Sequence, residues 1–588
     1  MRFPDDPSIA DVTKAPYNAR GDGRTDCTGA IQKALNESVG GIVYLPDGTY
    51  VISNTLRWPG RQMNTTLWGQ STDGAVLKLK DRCPGFTDPG NPKAMVWTGR
   101  KPAQRFKNYV RGLTFDTGKG NPGAIGAQFM ANNTGAFREV TIRSGDGAGA
   151  IGLDLGYSDE QGPCLIKNVT VIGFEIGIET RHVVDSVTME HITLKGQRQV
   201  GLRNKGQVVS CRGLVSENSV SAVENAGAAL LVLIDSKLSG KGAAAIVNEK
   251  PAALLARNVE VSGYEAAVRN ASGHGKGAAA GTVEEFDSHE VLALFDGPRR
   301  SLGLPIKETP KVEWGDPADW VSIARFGAAE SRGRKAVDCT AAVQKAIDSG
   351  ARTVYVPKGT YEVGKTVHIR GEVQRIVGLG QSARFRGRGV FRLEEGDAAA
   401  VVLEGLGGVA GGIEQASKRT LIVRNLHVNS MGQQAISRGV FNSDTGDIFL
   451  EDIGGPRLSF RDGVHVWGRQ INTEWKHKVR ITNDGATLWI LGHKLERGGT
   501  AVETLGGGRT EILGGFMYTI TPPVGPLFIS RDSEISVSMR ESKFSPKFAP
   551  FKVLVRETRG GGTRELKHGQ APEATGGSLI PLFVGRAD

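Results

Sequence analysis

Two glutamates occupy the same place in two similar stretches of the chain. The stretch from Val466 to Glu474 aligns with the stretch from Leu488 to Glu496 at an offset of 22, and a third stretch, ending at Tyr518, continues the same offset. In a parallel β-solenoid, equivalent positions on successive turns stack at about 4.8 Å. The spacing therefore predicts that Glu474 lies beside Glu496.

Such a pair could perform acid/base chemistry. Two like charges at this distance repel each other, and the repulsion is relieved when one carboxyl holds a proton near neutral pH. A glycosidase needs this combination of a protonated carboxyl for the leaving oxygen and an ionised carboxylate for water. The same spacing also fits a solvated row of glutamates, with Lys494 paired to either one. We expect the neighbouring carboxylate to outweigh Lys494, so that Glu496 holds the proton.

Alternation along these strands predicts which side chains face outward. Ile471, Leu491, Leu495, Leu513 and Met517 share the inward parity. Trp467 and Trp489 share it too and are expected to be packed. The polar residues near the glutamates, together with the aromatic ones that could serve as sugar platforms, are the predicted substrate-binding residues. These are Trp475, Gln470, Asn472, Lys494 and Tyr518.

The elements that position these residues are repeated at a larger scale. The stretch from Asp26 to Leu35 matches the stretch from Asp338 to Ile347, and a strand with a Pro-x-Gly-Thr-Tyr turn follows each of them at an offset of 311. Each stretch predicts one short amphipathic helix. The repeat predicts two domains, 1–318 and 319–588, with the boundary near Pro305 to Asp319.

After each helix, short β-branched runs recur about every 20 residues, which is typical of a solenoid. The five clearest runs begin at Val169, Ser186, Val208, Leu230 and Arg257. Glycine, 81 of 588 residues, suits the sharp turns of such a fold. The predicted fold is all-β, with two tandem right-handed parallel β-helices, each capped by its short N-terminal helix.

Composition excludes several classes of protein. No stretch is long and apolar enough to span a membrane as a helix. The net charge of +11 is spread along the chain, without a basic arm that would indicate nucleic-acid binding. The five cysteines have no C-x-x-C spacing, and the ten histidines show no metal-ligand spacing. We therefore expect packed cysteines, no metal and no cofactor. The N-terminus lacks an apolar signal region, so an extracellular or periplasmic location requires that a signal peptide has been removed.

The repeated helix and turn blocks resemble the pectate-lyase-like superfamily of β-helix proteins. The stretches ending at Glu474 and Glu496 are similar to the catalytic region of glycoside hydrolase family 55, whose members are exo-acting β-1,3-glucanases. The resemblance implies an inverting, metal-free mechanism with Glu496 as the general acid and Glu474 helping to activate the water. It also implies a water-holding Gln and Ser from the N-terminal half, which correspond here to Gln128 and Ser158.

The leading hypothesis is an inverting exo-acting β-1,3-glucanase whose partner is a polysaccharide or oligosaccharide substrate. We expect a monomer that binds neither nucleic acid nor membrane. A second hypothesis is a polysaccharide lyase or hydrolase for acidic glycans on the same fold, which the positive charge favours. A third is a non-catalytic carbohydrate-binding β-helix scaffold. A common fold does not decide among these functions.

Overall fold

The computed structural model describes residues 1–587 except 59–63, 102–104, 159–160, 332–335, 381, 428–434, 439–444, 456, 462 and 475. All helix and strand bounds below refer to the described part of the chain.

The chain forms two compact units. The first comprises Met1, Ile9–Val291 and Ser538–Arg540, and the second comprises Arg2–Ser8, Leu292–Val537 and Glu541–Asp588. The predicted domain boundary at 318/319 stays a prediction. The two units divide at Val291 and Leu292, ahead of the predicted boundary, because residues between this division and the predicted boundary form hydrogen bonds to a strand of the second unit. The N–H groups of Gly303 and Leu304 donate to Glu511, at 3.0 and 3.2 Å.

The first unit contains one α-helix and 22 strands among its described residues. The helix is α1 (Thr28–Glu37). The strands are β1 (Ile9–Asp11), β2 (Asp22–Asp26), β3 (Ile42–Leu45), β4 (Gly48–Ile52), β5 (Leu56–Arg57), β6 (Thr66–Gly69), β7 (Ala75–Leu79), β8 (Lys93–Trp97), β9 (Tyr109–Asp116), β10 (Ala124–Gln128), β11 (Ala136–Arg143), β12 (Ile151–Asp154), β13 (Cys164–Ile172), β14 (Ile176–Thr180), β15 (Ser186–Lys195), β16 (Val200–Lys205), β17 (Val208–Asn218), β18 (Val223–Ala226), β19 (Leu230–Gly242), β20 (Ile246–Asn248), β21 (Ala253–Asn270) and β22 (Gly277–Asp287).

The five β-branched runs predicted from the sequence are successive strands of one parallel ladder. They lie in β13, β15, β17, β19 and β21, each paired in parallel with the next. Ile166, Met189, Cys211 and Leu233 occupy equivalent register positions in four of these strands and are all buried. Stacking one apolar side chain on the next gives the ladder a narrow core, so the all-β solenoid prediction is confirmed. The arrangement as two tandem right-handed helices stays a prediction.

A row of asparagines crosses the interior of the first unit. Asn204 donates its amide to Asn225 at 3.0 Å, Asn225 donates to Asn248 at 2.7 Å, and Asn248 donates to Asn270 at 2.8 Å. These residues sit at equivalent positions of adjacent parallel strands. Asn204, Asn225 and Asn248 are buried and Asn270 is half-buried, so the hydrogen bonds of the row satisfy polar groups that are largely cut off from water, as stable buried polar groups require.

We expect Asn225→Ala to lower the free energy of unfolding by about 2–3 kcal/mol, because the substitution leaves buried partners on both sides without their hydrogen bonds. Chemical denaturation measures the change. Asn36→Ala is the control, since Asn36 is exposed on α1 and should change the free energy by less than about 0.5 kcal/mol. Equal effects of the two substitutions would contradict a stabilising role for the row.

The second unit contains α2 (Thr340–Ile347) and 24 strands among its described residues. The strands are β23 (Val321–Ser322), β24 (Thr353–Val356), β25 (Gly359–Glu362), β26 (Val367–Ile369), β27 (Arg375–Gly378), β28 (Ala383–Arg386), β29 (Val390–Leu393), β30 (Ala400–Glu404), β31 (Gly412–Gln415), β32 (Thr420–His427), β33 (Ala435–Arg438), β34 (Ile448–Gly454), β35 (Arg457–Arg461), β36 (His465–Asn472), β37 (Val479–Asp484), β38 (Thr487–Glu496), β39 (Thr500–Leu505), β40 (Arg509–Thr519), β41 (Phe528–Arg531), β42 (Glu534–Lys543), β43 (Val553–Arg559), β44 (Gly562–Lys567), β45 (Glu573–Ala574) and β46 (Gly577–Gly585).

Both predicted helices are present, and each buries the apolar face that the sequence indicates. In α1, Ile31, Ala34 and Leu35 are buried, and α2 buries the corresponding residues. At the start of α1, the Asp26 carboxylate accepts the N–H of Thr28 at 2.9 Å, and Asp338 accepts the N–H of Thr340 at the same distance. These bonds satisfy backbone donors that the first helical turn leaves unpaired. The capping of a solenoid by each helix stays a prediction.

Glu557 makes the stability of the second unit depend on pH. Burial raises the pKa of this carboxyl to about 7, well above the value of about 4.3 for an unfolded chain. Its contribution to stability is therefore present below the unfolded pKa and is lost as the pH rises through about 7.

We expect Glu557→Gln to stabilise the protein more at pH 8 than at pH 5, by a difference on the order of 3 kcal/mol, because the amide never ionises. Calorimetric unfolding at both pH values measures this difference. The exposed Glu573, replaced by Gln, serves as the control. A Glu557→Gln effect that is the same at both pH values would show that this carboxyl does not titrate near pH 7.

All five cysteines are buried and unbonded to one another, as expected for packed side chains. Among the described residues, no helix combines the length and the apolar character that a membrane crossing requires.

Candidate active site

Three adjacent strands of the second unit carry the site. Strand β36 pairs in parallel with β38, which pairs in parallel with β40. The register places Asn472 opposite Lys494 and Glu496 opposite Tyr518. The repeat of 22 residues predicted from the sequence is therefore the number of residues between paired positions on adjacent strands of this ladder.

A column of left-handed residues interrupts these strands. Gln470, Gly492 and Gly514 have φ values of 52°, 75° and 78°, and the pairing register skips all three. One skipped residue on each strand moves the following side chains to the opposite face. The predicted alternation is therefore interrupted at this column, although all five residues predicted to face inward are buried, namely Ile471, Leu491, Leu495, Leu513 and Met517. Gly supplies the left-handed conformation without steric cost in β38 and β40.

The structure brings Glu474 and Glu496 together around one ammonium. Lys494 Nζ lies 2.7 Å from Glu474 Oε2 and 2.6 Å from Glu496 Oε1. The carboxylate side chains are only 15 % and 16 % exposed, and that of Lys494 is 1 % exposed. Lys494 therefore does not extend freely toward a substrate. Its ammonium takes the place that a metal cation would need between the two carboxylates.

Different hydrogen-bond donors surround the two carboxylates. Asn472 Nδ2 donates to Glu474 Oε2 at 3.2 Å, whereas the Tyr518 hydroxyl donates to Glu496 Oε1. The Lys494 ammonium also lies 5.1 Å from the centre of the Tyr518 ring. Asn472, Lys494 and Tyr518, all predicted to bind substrate, thus belong to the immediate surroundings of the carboxyl pair.

The environment separates the proton affinities of the two carboxyls. Burial raises the pKa of Glu474, with Lys494 acting against this shift and the charge of Glu496 adding to it. Burial also acts to raise the pKa of Glu496, but the Lys494 charge and the hydrogen bonds from Lys494, Tyr518 and Glu474 outweigh it and leave this pKa lowered. These shifts run against the expectation that Glu496 holds the proton, because Glu496 is the better stabilised of the two as an anion.

A buried layer holds the strand ends beneath the pair. Arg480 donates to the carbonyl oxygens of Thr473, at 3.0 Å, and of Glu496. The Thr473 hydroxyl lies 2.8 Å from His493 Nε2. Burial lowers the pKa of His493 to about 3, so that its ring is neutral at physiological pH. These contacts fix the backbone on which both glutamates are mounted.

The remaining predicted residues of this region have other surroundings. Gln470 is buried within the left-handed column and donates to Asp452 Oδ1 at 3.2 Å. Trp467 and Trp489 are opposite each other and buried, as expected. The Trp467 indole N–H donates to the Pro305 carbonyl at 2.9 Å. Trp475 lies outside the described residues.

Gln128 and Ser158 both lie in the first unit. Gln128 ends β10, and its amide donates to Asp154 Oδ2 at 2.9 Å. Asp154 is the residue opposite Gln128 on the next strand, and Ser158 follows four residues later, partly exposed. The catalytic role assigned to Gln128 and Ser158 stays a prediction.

Sequence reasoning missed Asp154 and its neighbour Glu179. Both are buried, and the register places Gln128, Asp154 and Glu179 in one column of successive strands. Burial, together with the charge of Glu179, raises the pKa of Asp154 to about 6 against the hydrogen bonds from Gln128 and Gly156. The signal was available in the sequence, because Ile-Gly-Ala-Gln, Ile-Gly-Leu-Asp and Ile-Gly-Ile-Glu recur at residues 125–128, 151–154 and 176–179.

Part of the chain is similar to a recognised family of proteins. Residues 13–227 match the family model described as "Rhamnogalacturonase A/epimerase, pectate lyase-like". Over these residues the chain is similar to the pectate-lyase-like family, and the resemblance inferred from the repeated helix and turn blocks is confirmed there. The finer resemblance to glycoside hydrolase family 55 stays a prediction. No curated protein matches the sequence significantly.

Solved structures with a similar chain path are distant in sequence. SacteLam55A from Streptomyces sp. SirexAA-E is 12 % identical, with a TM-score of 0.46 and coverage of 95 % of this chain and 97 % of that one. The catalytic unit of GH87 α-1,3-glucanase from Streptomyces thermodiastaticus strain HF3-3 is 10 % identical, with a TM-score of 0.27 and coverage of 93 % and 72 %. The A-module of mannuronan C-5 epimerase AlgE4 from Azotobacter vinelandii is 11 % identical, with a TM-score of 0.24 and coverage of 93 % and 97 %. Similarity at this level carries no information about the activity of this chain.

Proposed function

We propose that the protein is a glycoside hydrolase that cleaves β-1,3-glucan from a chain end with Glu474 and Glu496 as its acid/base pair. The observation that carries the proposal is the contact of both carboxylates with the single buried ammonium of Lys494, at 2.7 and 2.6 Å. A solvated row of surface glutamates would not need this burial. Two carboxyls whose pKa values are pushed in opposite directions are the usual basis of glycosidic bond hydrolysis.

The proposed reaction needs one proton on the pair. Burial raises the pKa of Glu474, and the Lys494 ammonium contacts both carboxylates. In the proposed reaction Glu496 donates the proton to the leaving glycosidic oxygen, and Glu474 then accepts a proton from the attacking water. The Tyr518 hydroxyl stabilises Glu496 as the anion that remains after donation.

The stereochemical course constrains where the water binds. Inverting enzymes separate their carboxyls by about 6.5–9.5 Å so that water fits between them. Glu474 Oε2 and Glu496 Oε1 both contact Lys494 Nζ, at 2.7 and 2.6 Å, so the distance between these two oxygens cannot exceed the sum of the two contacts. This separation is shorter than the one that inverting enzymes use. For the inversion that the family 55 resemblance implies, the water must therefore approach Glu474 from outside the Lys494 bridge.

Release of reducing sugar from a panel of glycans tests the proposal. We expect release from laminarin and from β-1,3-linked oligosaccharides, with slower or no release from β-1,4-linked and uronate-containing polymers. No release from any neutral glucan, with Glu474 and Glu496 intact and the protein folded, would contradict the proposed function.

A second candidate function is hydrolysis or lyase cleavage of a uronate-containing glycan. The observation that favours it is the match of residues 13–227 to a model named for a rhamnogalacturonase and an epimerase, together with the net charge of +11. A lyase would generate an unsaturated uronate that absorbs ultraviolet light, and a hydrolase would generate reducing ends on pectic polymers. Either product without glucan hydrolysis would favour this candidate over the first.

A further inference from the structure

An exposed aromatic ring adjoins the residues around the carboxyl pair. Phe544 is 58 % exposed, and its ring centre lies 5.5 Å from that of Tyr518. The hydroxyl of the same Tyr518 donates to Glu496. Only one side chain therefore separates the exposed ring from the carboxylate.

Backbone contacts hold this exposed ring in place. The N–H of Phe544 donates to the Thr519 carbonyl at 3.1 Å, and the Thr519 hydroxyl donates to the Ala549 carbonyl at 2.8 Å. Farther along the same loop, the N–H of Phe551 donates to buried Glu541 at 2.9 Å. Single exposed apolar side chains are common on protein surfaces, so what distinguishes Phe544 is its contact with Tyr518, whose hydroxyl donates to Glu496.

We propose that the exposed ring of Phe544, backed by the buried ring of Tyr518, forms an aromatic platform that binds the apolar face of a neutral hexopyranosyl unit beside the Glu474–Glu496 pair. The negative face of an aromatic ring attracts the weakly positive C–H groups on such a sugar face. The platform itself presents no charge, and the nearby Lys494 ammonium is already engaged by both carboxylates. This inference deepens the proposed function and rests on it for the class of substrate.

Binding without turnover tests the platform. In the Glu496→Gln background, calorimetric titration with glucose tetrasaccharides of β-1,3, β-1,4 and β-1,6 linkage measures affinity. We expect at least one tetrasaccharide to bind, and Phe544→Ala to weaken that binding by about tenfold, the size of one aromatic contact. Phe544→Trp should retain or strengthen the binding. Val337→Ala, which alters another exposed apolar residue of the second unit, should leave it unchanged.

The outcomes separate the platform from the proposed function. Affinity that is unchanged in Phe544→Ala, or the absence of binding by every neutral tetrasaccharide, would overturn the platform even if the wild-type protein hydrolyses glucan. Binding that depends on Phe544, combined with no hydrolysis by the wild-type protein, would support the platform and contradict the proposed hydrolase. The unfolding temperature of each variant shows whether it is folded. Phe544→Trp gives a second measurement of tetrasaccharide affinity, in a variant that keeps an aromatic ring at this position.

Discussion

Glu496→Gln is expected to reduce laminarin hydrolysis by about 10³-fold or more. An amide of the same shape cannot donate a proton to the leaving oxygen, and general acid catalysis together with the electrostatic contribution of the pair supplies an effect of this size. The substitution preserves hydrogen-bonding capacity toward Lys494 and Tyr518, so the fold should be retained. Initial rates of reducing-sugar release measure the change.

The identity of the leaving group separates the roles of the two carboxyls. An aryl glycoside with a good leaving group needs little protonation, so Glu496→Gln should lose much less activity on it than on laminarin. Glu474→Gln should lose activity on both, because each substrate needs an activated water. The reverse pattern would assign the acid to Glu474, the carboxyl whose pKa burial raises.

Glu503→Gln is the matched control for these substitutions. Glu503 lies on β39 of the same unit, its side chain is 17 % exposed, and it contacts Arg531 at 3.1 Å. It thus resembles Glu496 in burial and in having a cationic partner, but it is not part of the carboxyl pair. We expect wild-type activity from this variant, so equal losses in Glu503→Gln and Glu496→Gln would point to a structural effect.

Lys494→Met is expected to lower kcat/KM by about 100-fold or more and to move its pH profile. The ammonium is the cationic partner of both carboxylates, and removing one partner of a buried ion pair leaves uncompensated charge. The pKa of Glu496 should therefore rise from its lowered value, and the pKa of Glu474 should rise further. The acid limb of the pH–rate profile, which reports the ionised carboxylate, should shift toward higher pH.

The same change predicts a pH-dependent loss of stability. In the wild-type protein, the Glu496 carboxylate contributes stability at pH values above its unfolded pKa. This contribution is lost as the pH falls through the lowered pKa of the folded protein. In Lys494→Met both carboxyls favour the protonated form, so stability is lost as the pH rises instead. The variant should therefore be more destabilised at pH 8 than at pH 5 in thermal unfolding.

Lys478→Met is the control for the Lys494 substitution, because Lys478 is exposed on the same unit and, in the part of the chain that the structure describes, forms no salt bridge with Glu474 or Glu496. Its kcat/KM and pH profile should match those of the wild-type protein. An unchanged acid limb in Lys494→Met would show that Lys494 does not set the pKa of the working carboxylate.

Periodicity was sufficient to predict the ladder of the site. In a parallel solenoid, residues one repeat apart in sequence lie opposite each other on adjacent strands, so the 22-residue repeat correctly predicted that Trp467 lies opposite Trp489. The duplicated Asp-Cys-Thr blocks likewise predicted α1 and α2, because a helix is specified by local spacing.

Features that depend on three-dimensional surroundings were not predictable in this way. Alternation assumes an unbroken strand, whereas Gln470 adopts a left-handed conformation that a single sequence does not reveal. The proton location depends on burial and on the number of donors around each carboxylate, both of which arise only on folding. The family motif around Gln128 gives no sign of Asp154, whereas the repeated Ile-Gly pattern places Asp154 opposite Gln128 on the adjacent strand of the ladder.

The anomeric form of the first sugar released is the most direct test of the central claim. Proton NMR spectra recorded during the first turnovers of a β-1,3-linked glucose pentasaccharide should show free α-glucose, with a β-linked tetrasaccharide remaining, and Glu496→Gln should show neither. This result requires hydrolysis, attack from a chain end and inversion at the same site. Glucose released equally well by Glu496→Gln, or no glucose from the wild-type protein, would contradict the assignment of the Glu474–Glu496 pair as the catalytic centre.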